Sequence, residues 1–229
     1  DELLPLATLL TPNLPEAAER QISLEVEEGN LNGAWDAASA LVRRRPDSAV
    51  AHFALAYILH YAGLLEESAR ECEAALARDP KSYRWRSCAQ MYIDLGDYER
   101  AKTFLDLDAG SELVRRITQT MLIRQGRYDE ALANAPPRGR PVGDWFSDCL
   151  ARRPPSASSP LSAGVRESVL AIRDSEPKYA ISGMAALCGD RENALQILRK
   201  GIEQNFCSYP AMDRDPLFDS IRKTPGFAE

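Results

Sequence analysis

Glycine and proline recur in this chain at a fixed interval, and the interval dictates the architecture. Pro12, Pro46 and Pro80 are spaced 34 residues apart, as are Gly29 and Gly63; Gly96 follows 33 later, Gly126 another 30, and Gly189 opens the same phrase near the end. Each glycine has a small residue five positions on: Ala34, Ser68, Ala101, Ala131 and Ala194. A glycine just past a helix can take the left-handed conformation that satisfies the last carbonyls. The small residue then lets a second helix approach the first, and the proline ends that second helix. One interval is therefore one helical hairpin. A hairpin this size cannot bury its own apolar stripe and must stack on neighbours.

The residues filling the interval resemble the tetratricopeptide repeat (TPR) family. In the clearest unit the matching residues are Leu55, Ala56, Leu59, Gly63, Ser68, Cys72, Ala75 and Pro80; the preceding one matches through Ile22, Gly29, Ala34, Ala38, Leu41 and Pro46. The third matches through Trp85, Ala89, Tyr92, Gly96, Ala101 and Leu105, then is cut short by Asp106-Leu-Asp-Ala-Gly110. The resemblance implies an all-α, right-handed superhelical solenoid of about six hairpins, some degenerate, with a C-terminal cap. Helices are expected near 15–28, 32–45, 48–62, 65–79, 82–95, 98–106, 111–125 and 128–134, then at 143–152 and 161–174, with a last hairpin from Pro177. Within 82–95, Trp85, Cys88, Ala89, Tyr92 and Leu95 make one apolar stripe.

Three segments follow from this pattern: repeats over 1–135, a degenerate repeat with proline-rich connections over 136–176, and a final hairpin and cap over 177–229. Because Ala7 and Pro12 keep the repeat register, residues 1–10 read as the second helix of a hairpin whose first helix is missing. An excised piece of a longer protein is expected, with a processed N-terminus or a helical cap as the alternatives. No run approaches the roughly 18–20 apolar residues of a membrane span.

The tail carries a second, narrower resemblance. Gln204-Asn-Phe-Cys-Ser-Tyr-Pro210, Asp215-Pro-Leu-Phe218, Ile221-Arg222 and Thr224-Pro-Gly-Phe227 are similar to the end of the repeat region in bacterial membrane-anchored serine/threonine protein kinases. Leu217, Phe218, Ile221 and Phe227 would seal the end of the stack. The chain has no Gly-rich phosphate loop, His-Arg-Asp triplet or Asp-Phe-Gly. The resemblance thus implies the non-catalytic arm of a signalling protein.

Cys72, Cys88, Cys149, Cys188 and Cys207 are odd in number and lack C-x-x-C spacing. Buried free thiols are expected at Cys72, Cys88 and Cys188, and with them a cytoplasmic location, the periplasmic side being the alternative for a membrane-anchored parent. His52 and His60 lie eight apart and read as packed or groove-lining side chains. Arg43-Arg44-Arg45 closes a helix, where cations answer the carbonyl end, so no nucleic-acid partner is read from it. Charge is segregated: residues 1–36 hold eight acidic residues against one arginine, residues 112–173 ten arginines against six acidic residues.

In the TPR class the first helix of each hairpin lines a concave groove. The corresponding positions here include Phe53, Tyr57, His60, Tyr61, Tyr83, Arg86, Gln90, Arg116, Thr120 and Arg124. Rings beside arginines suit an acidic or phosphorylated peptide. The Lys and Asn clamp of chaperone-tail receptors is absent, since Phe53 and Tyr57 stand in its place. The function expected is a protein-interaction scaffold without catalysis, cofactor or metal; a small-molecule sensor using the same concavity is the alternative.

Overall fold

A computed structural model of the chain describes residues 14–152, 155 and 160–228. The expected half repeat at 1–10 lies outside the described residues. The chain forms two compact units, divided between Leu107 and Asp108. Among the described residues every regular element is helical.

Among the described residues the first unit holds three hairpins. They are α1 (Pro15–Glu27) with α2 (Leu31–Arg44), α3 (Ala49–Tyr61) with α4 (Leu65–Arg78), and α5 (Cys88–Leu95) with α6 (Tyr98–Leu105). Each hairpin packs on the next, α2 on α3 and α4 on α5, and the first helices also touch, α1 on α3 and α3 on α5.

The hairpin turns work as the spacing predicts. Gly96 has φ 80°; its N–H donates to Ile93 O at 3.0 Å and the Asp97 N–H donates to Tyr92 O at 2.8 Å. These two bonds close the helix end, and they require the left-handed residue. The same pair of bonds recurs after Gly29, Gly63, Gly126 and Gly189, all at positive φ. The small residues five positions on are sealed between helices: Ala34, Ala101, Ala131 and Ala194 have no exposed surface. Ser68 is buried too, and its hydroxyl donates to Ala56 O at 2.7 Å, joining α4 to α3.

One expected helix is divided. Residues 83–87 wind as a 3₁₀ helix, Tyr83–Ser87, before α5 begins at Cys88. The tighter turn accompanies an anchored Trp85: the ring is buried and its Nε1 donates to Asp79 O at 2.8 Å.

The second unit contains α7 (Glu112–Arg124), α8 (Tyr128–Ala133), α9 (Pro141–Leu150), α10 (Ala163–Leu170), α11 (Glu176–Leu187) and α12 (Arg191–Glu203). It ends with α13 (Tyr209–Arg214), a 3₁₀ turn at Pro216–Phe218 and α14 (Pro225–Ala228). Helix α7 pairs with α8 and α11 with α12, while α9 packs on α8 and α10 on α12. The expected 161–174 helix is shorter, since regular structure stops at Leu170.

The tail packs as a cap on α11. Phe206, Leu217, Phe218 and Ile221 are buried, and the Tyr179 ring stacks on Phe206 at 5.1 Å and lies 5.7 Å from Phe218. Phe227 lies 5.5 Å from Phe218, ring to ring. Gly183 admits this contact, because a Cβ there would stand 3.1 Å from Leu217 Cδ1. Gly183→Val is therefore expected to lower stability by about 1–3 kcal/mol through overpacking. Urea unfolding followed by circular dichroism measures it; an unchanged midpoint would mean that the tail does not seat on α11.

The cysteine expectation is corrected. Cys72 pairs with Cys88, and Cys149 with Cys188, at Cα separations of 6.1 and 5.9 Å, normal for disulfides. All four are buried, as expected of Cys72, Cys88 and Cys188, but they are not thiols. Cys72 lies on α4 and Cys88 opens α5, so the bond joins consecutive hairpins, a proximity set by stacking. Cys207 is exposed and remains a thiol. Paired, these cysteines no longer favour a cytoplasmic location.

Candidate functional site

The first helices of the first unit, α1, α3 and the 3₁₀ turn leading into α5, form one layer. An ion pair crosses it: Arg84 Nη2 on the 3₁₀ turn lies 2.8 Å from Glu19 Oε2 on α1, two hairpins away, with α3 between. Packed helices stand about 8–10 Å apart, so a flat layer would separate the outer two by about 16–20 Å. Fully extended, a glutamate and an arginine only just span that distance, so the pair links the first and third hairpins directly across α3.

Most predicted groove residues of this unit meet one another here. The half-buried Phe53 packs its ring 5.1 Å from that of Trp85. Tyr57 and Tyr61 have rings 4.7 Å apart and hydroxyls 2.9 Å apart. Tyr57 is half-buried, whereas Tyr61 is buried, so its ring serves the core of the layer. His60 is also buried, with Nε2 2.7 Å from Asp94 Oδ2, and Gln90 Nε2 donates to Asp94 Oδ1 at 3.4 Å. Tyr83 is the outlying member, 59% exposed. The Arg86 guanidinium lies over its ring, 5.1 Å from the centroid, and Arg86 Nη1 donates to Tyr83 O at 2.9 Å.

Glu19, Arg84 and Asp94 were missed by the sequence reading. His60 and Asp94 are 34 residues apart, one repeat, which puts them at the same height on neighbouring helices, so this contact was within reach of the spacing. Glu19 and Arg84 had no such signal, since their separation of 65 is not a whole number of repeats. Burial pushes the Glu19 carboxyl above the usual range, and Glu16 adds to this, while Arg84 and Arg20 pull it back without cancelling the effect. On the second helices, burial also pushes on Glu73, but hydrogen bonds from Arg100 and Tyr92 outweigh it and hold the carboxyl below its ordinary value.

The three predicted residues of the second unit divide differently. Arg116 is exposed on α7. Thr120 is buried, and its Oγ1 donates to Arg116 O at 3.2 Å, one turn back. Arg124 is corrected: its side chain is 4% exposed, Nη2 lies 2.6 Å from Asp215 Oδ2 and donates to the Tyr179 hydroxyl at 3.1 Å. A guanidinium this deep needs an anion beside it, and Asp215 of the tail supplies one. Arg124 is thus held inside its own unit.

His52 is a packed side chain, its Nδ1 2.5 Å from Glu71 Oε2 and its Nε2 3.0 Å from Pro46 O. Among the described residues no group of three or more His, Cys, Asp or Glu side chains could hold a metal ion, and no helix is long and apolar enough to cross a membrane.

No protein-family model matches the sequence, and no curated protein matches it. Among solved structures, the chain is similar to YrrB, described as a TPR protein with an unusual peptide-binding site, at 15% identity and a TM-score of 0.44, covering 91% of this chain and 95% of that one. It is also similar to MamA (MSR-1, C2) at 16% identity and a TM-score of 0.44, covering 83% of this chain and 95% of the other.

Proposed function

We propose that this chain is a non-catalytic protein-interaction scaffold of the TPR kind, and that the concave helix layer of its first unit receives an extended peptide with acidic groups. The Glu19–Arg84 pair carries the reading, because it sets an arginine that already holds a carboxylate on the layer of first helices. On the same 3₁₀ stretch as Arg84, Tyr83 offers a rigid exposed ring with the Arg86 guanidinium against it, residue types that dominate binding energy at protein interfaces. The tail's similarity to the repeat regions of bacterial membrane-anchored kinases supports a place as the arm of a larger signalling protein. Paired cysteines support an oxidising side of the membrane for that arm.

Tyr83→Ala with Arg86→Ala is expected to leave the far-ultraviolet circular dichroism and unfolding midpoint unchanged and to weaken partner binding, each side chain contributing about 1–3 kcal/mol. Capture from the native organism with wild type and variant, then calorimetric titration of the partner recovered, tests it. Equal affinity for the two would place the binding surface elsewhere.

A further inference from the structure

The layer of first helices already holds one carboxylate on an arginine, and that pair points to the anion-binding residue. Tyr83, Arg84 and Arg86 occupy a single 3₁₀ stretch, where residues three apart eclipse one another, so Arg86 stacks on Tyr83 while Arg84 points across to α1. The Arg84 side chain is 35% exposed, within reach of a ligand, and its partner Glu19 is 18% exposed. Resting on the function proposed above, we propose that Glu19 is an internal stand-in for the partner: a carboxylate-rich peptide docks by exchanging one of its own carboxylates for that of Glu19 on Arg84.

Chemistry favours the exchange. A guanidinium takes an incoming carboxylate in the same forked geometry whichever chain supplies it. Glu19 is held in a poorly solvated place beside another acid, Glu16, which disfavours its charged form. Partly exposed ion pairs hold weakly, so Arg84 can change partners without loss of the fold. Tyr83 and Arg86 share the 3₁₀ stretch with Arg84 and offer the incoming segment a ring and a second guanidinium.

The test is fluorescence anisotropy at low salt, using the full chain and a fluorescein-labelled deca-glutamate peptide. Glu19→Gln keeps the side-chain shape and is expected to tighten binding roughly two- to fivefold. Arg84→Gln is expected to remove most binding, and the double variant to match Arg84→Gln. Glu66→Gln, which alters net charge equally on α4, should leave affinity near wild type. Circular dichroism of each variant reports on folding.

If Glu19→Gln binds no tighter than wild type or Glu66→Gln while Arg84→Gln still loses binding, the exchange is overturned and the binding face stands. Equal binding by all variants overturns both. No binding to any of them overturns the acidic-peptide reading. A phosphoserine decapeptide that binds where deca-glutamate does not replaces the carboxylate with phosphate and overturns the proposal as stated.

Discussion

Reducing the folded chain is expected to cost each unit several kcal/mol of stability. The two disulfides lie in different units, Cys72–Cys88 in the first and Cys149–Cys188 in the second. Loop-closure entropy scales with the residues spanned. A separation of 16 corresponds to about 3 kcal/mol and one of 39 to about 4 kcal/mol. Nearest-neighbour stacks suffer in particular, because a hairpin packs chiefly on its neighbours and the Cys72–Cys88 bond ties two of them directly. Urea unfolding with and without a phosphine reductant measures the sum. Cys72→Ser/Cys88→Ser and Cys149→Ser/Cys188→Ser separate the contributions, and each double substitution should shift the unfolding of its own unit. A midpoint indifferent to reductant, with five titratable thiols in denaturant before reduction, would restore the free cysteines expected from the sequence.

The contrast between what was legible and what was not follows the range of the forces involved. Gly29, Gly63, Gly96, Gly126 and Gly189 encode their turns locally, in φ and in hydrogen bonds three and five residues back, so spacing alone revealed them. The residues packed at Ala34, Ser68, Ala101, Ala131 and Ala194 followed from the same interval. The split of the 82–95 helix did not, because it accompanies the anchoring of Trp85 to Asp79 and Phe53. Cysteine pairing was hidden for a similar reason: Cys72 meets Cys88 only once two hairpins are stacked. At the candidate site the periodicity located Phe53, Tyr57, His60, Tyr61 and Gln90 on one layer, but it could not say which of them face inward. Tyr61 and His60 are buried, and Arg124 is drawn to an acid 91 residues away.

That distant acid provides the sharpest test of the second unit. Asp215 accepts from three groups: Arg124 Nη2 at 2.6 Å and the Tyr179 hydroxyl at 2.8 Å on Oδ2, and the Leu217 N–H at 3.0 Å on Oδ1. Its side chain is 3% exposed and that of Arg124 4%, so neither charge has water as a substitute partner. Asp215→Ala is therefore expected to destabilise the second unit by about 3–5 kcal/mol, most of it the penalty of a buried guanidinium left without its anion. Removing both charges should cost far less, because apolar side chains of similar volume avoid desolvating either ion; Arg124→Met with Asp215→Leu is the appropriate double variant. Denaturant unfolding of the wild type, both single variants and the double variant closes the cycle. If Asp215→Ala lay within about 0.5 kcal/mol of wild type, as surface substitutions do, the pair would not be buried in solution. Arg124 would then be available to a ligand, as its repeat position first indicated. A large loss in Asp215→Ala and Arg124→Met, recovered in the double variant, would fix Arg124 as the residue that joins α7 to the tail.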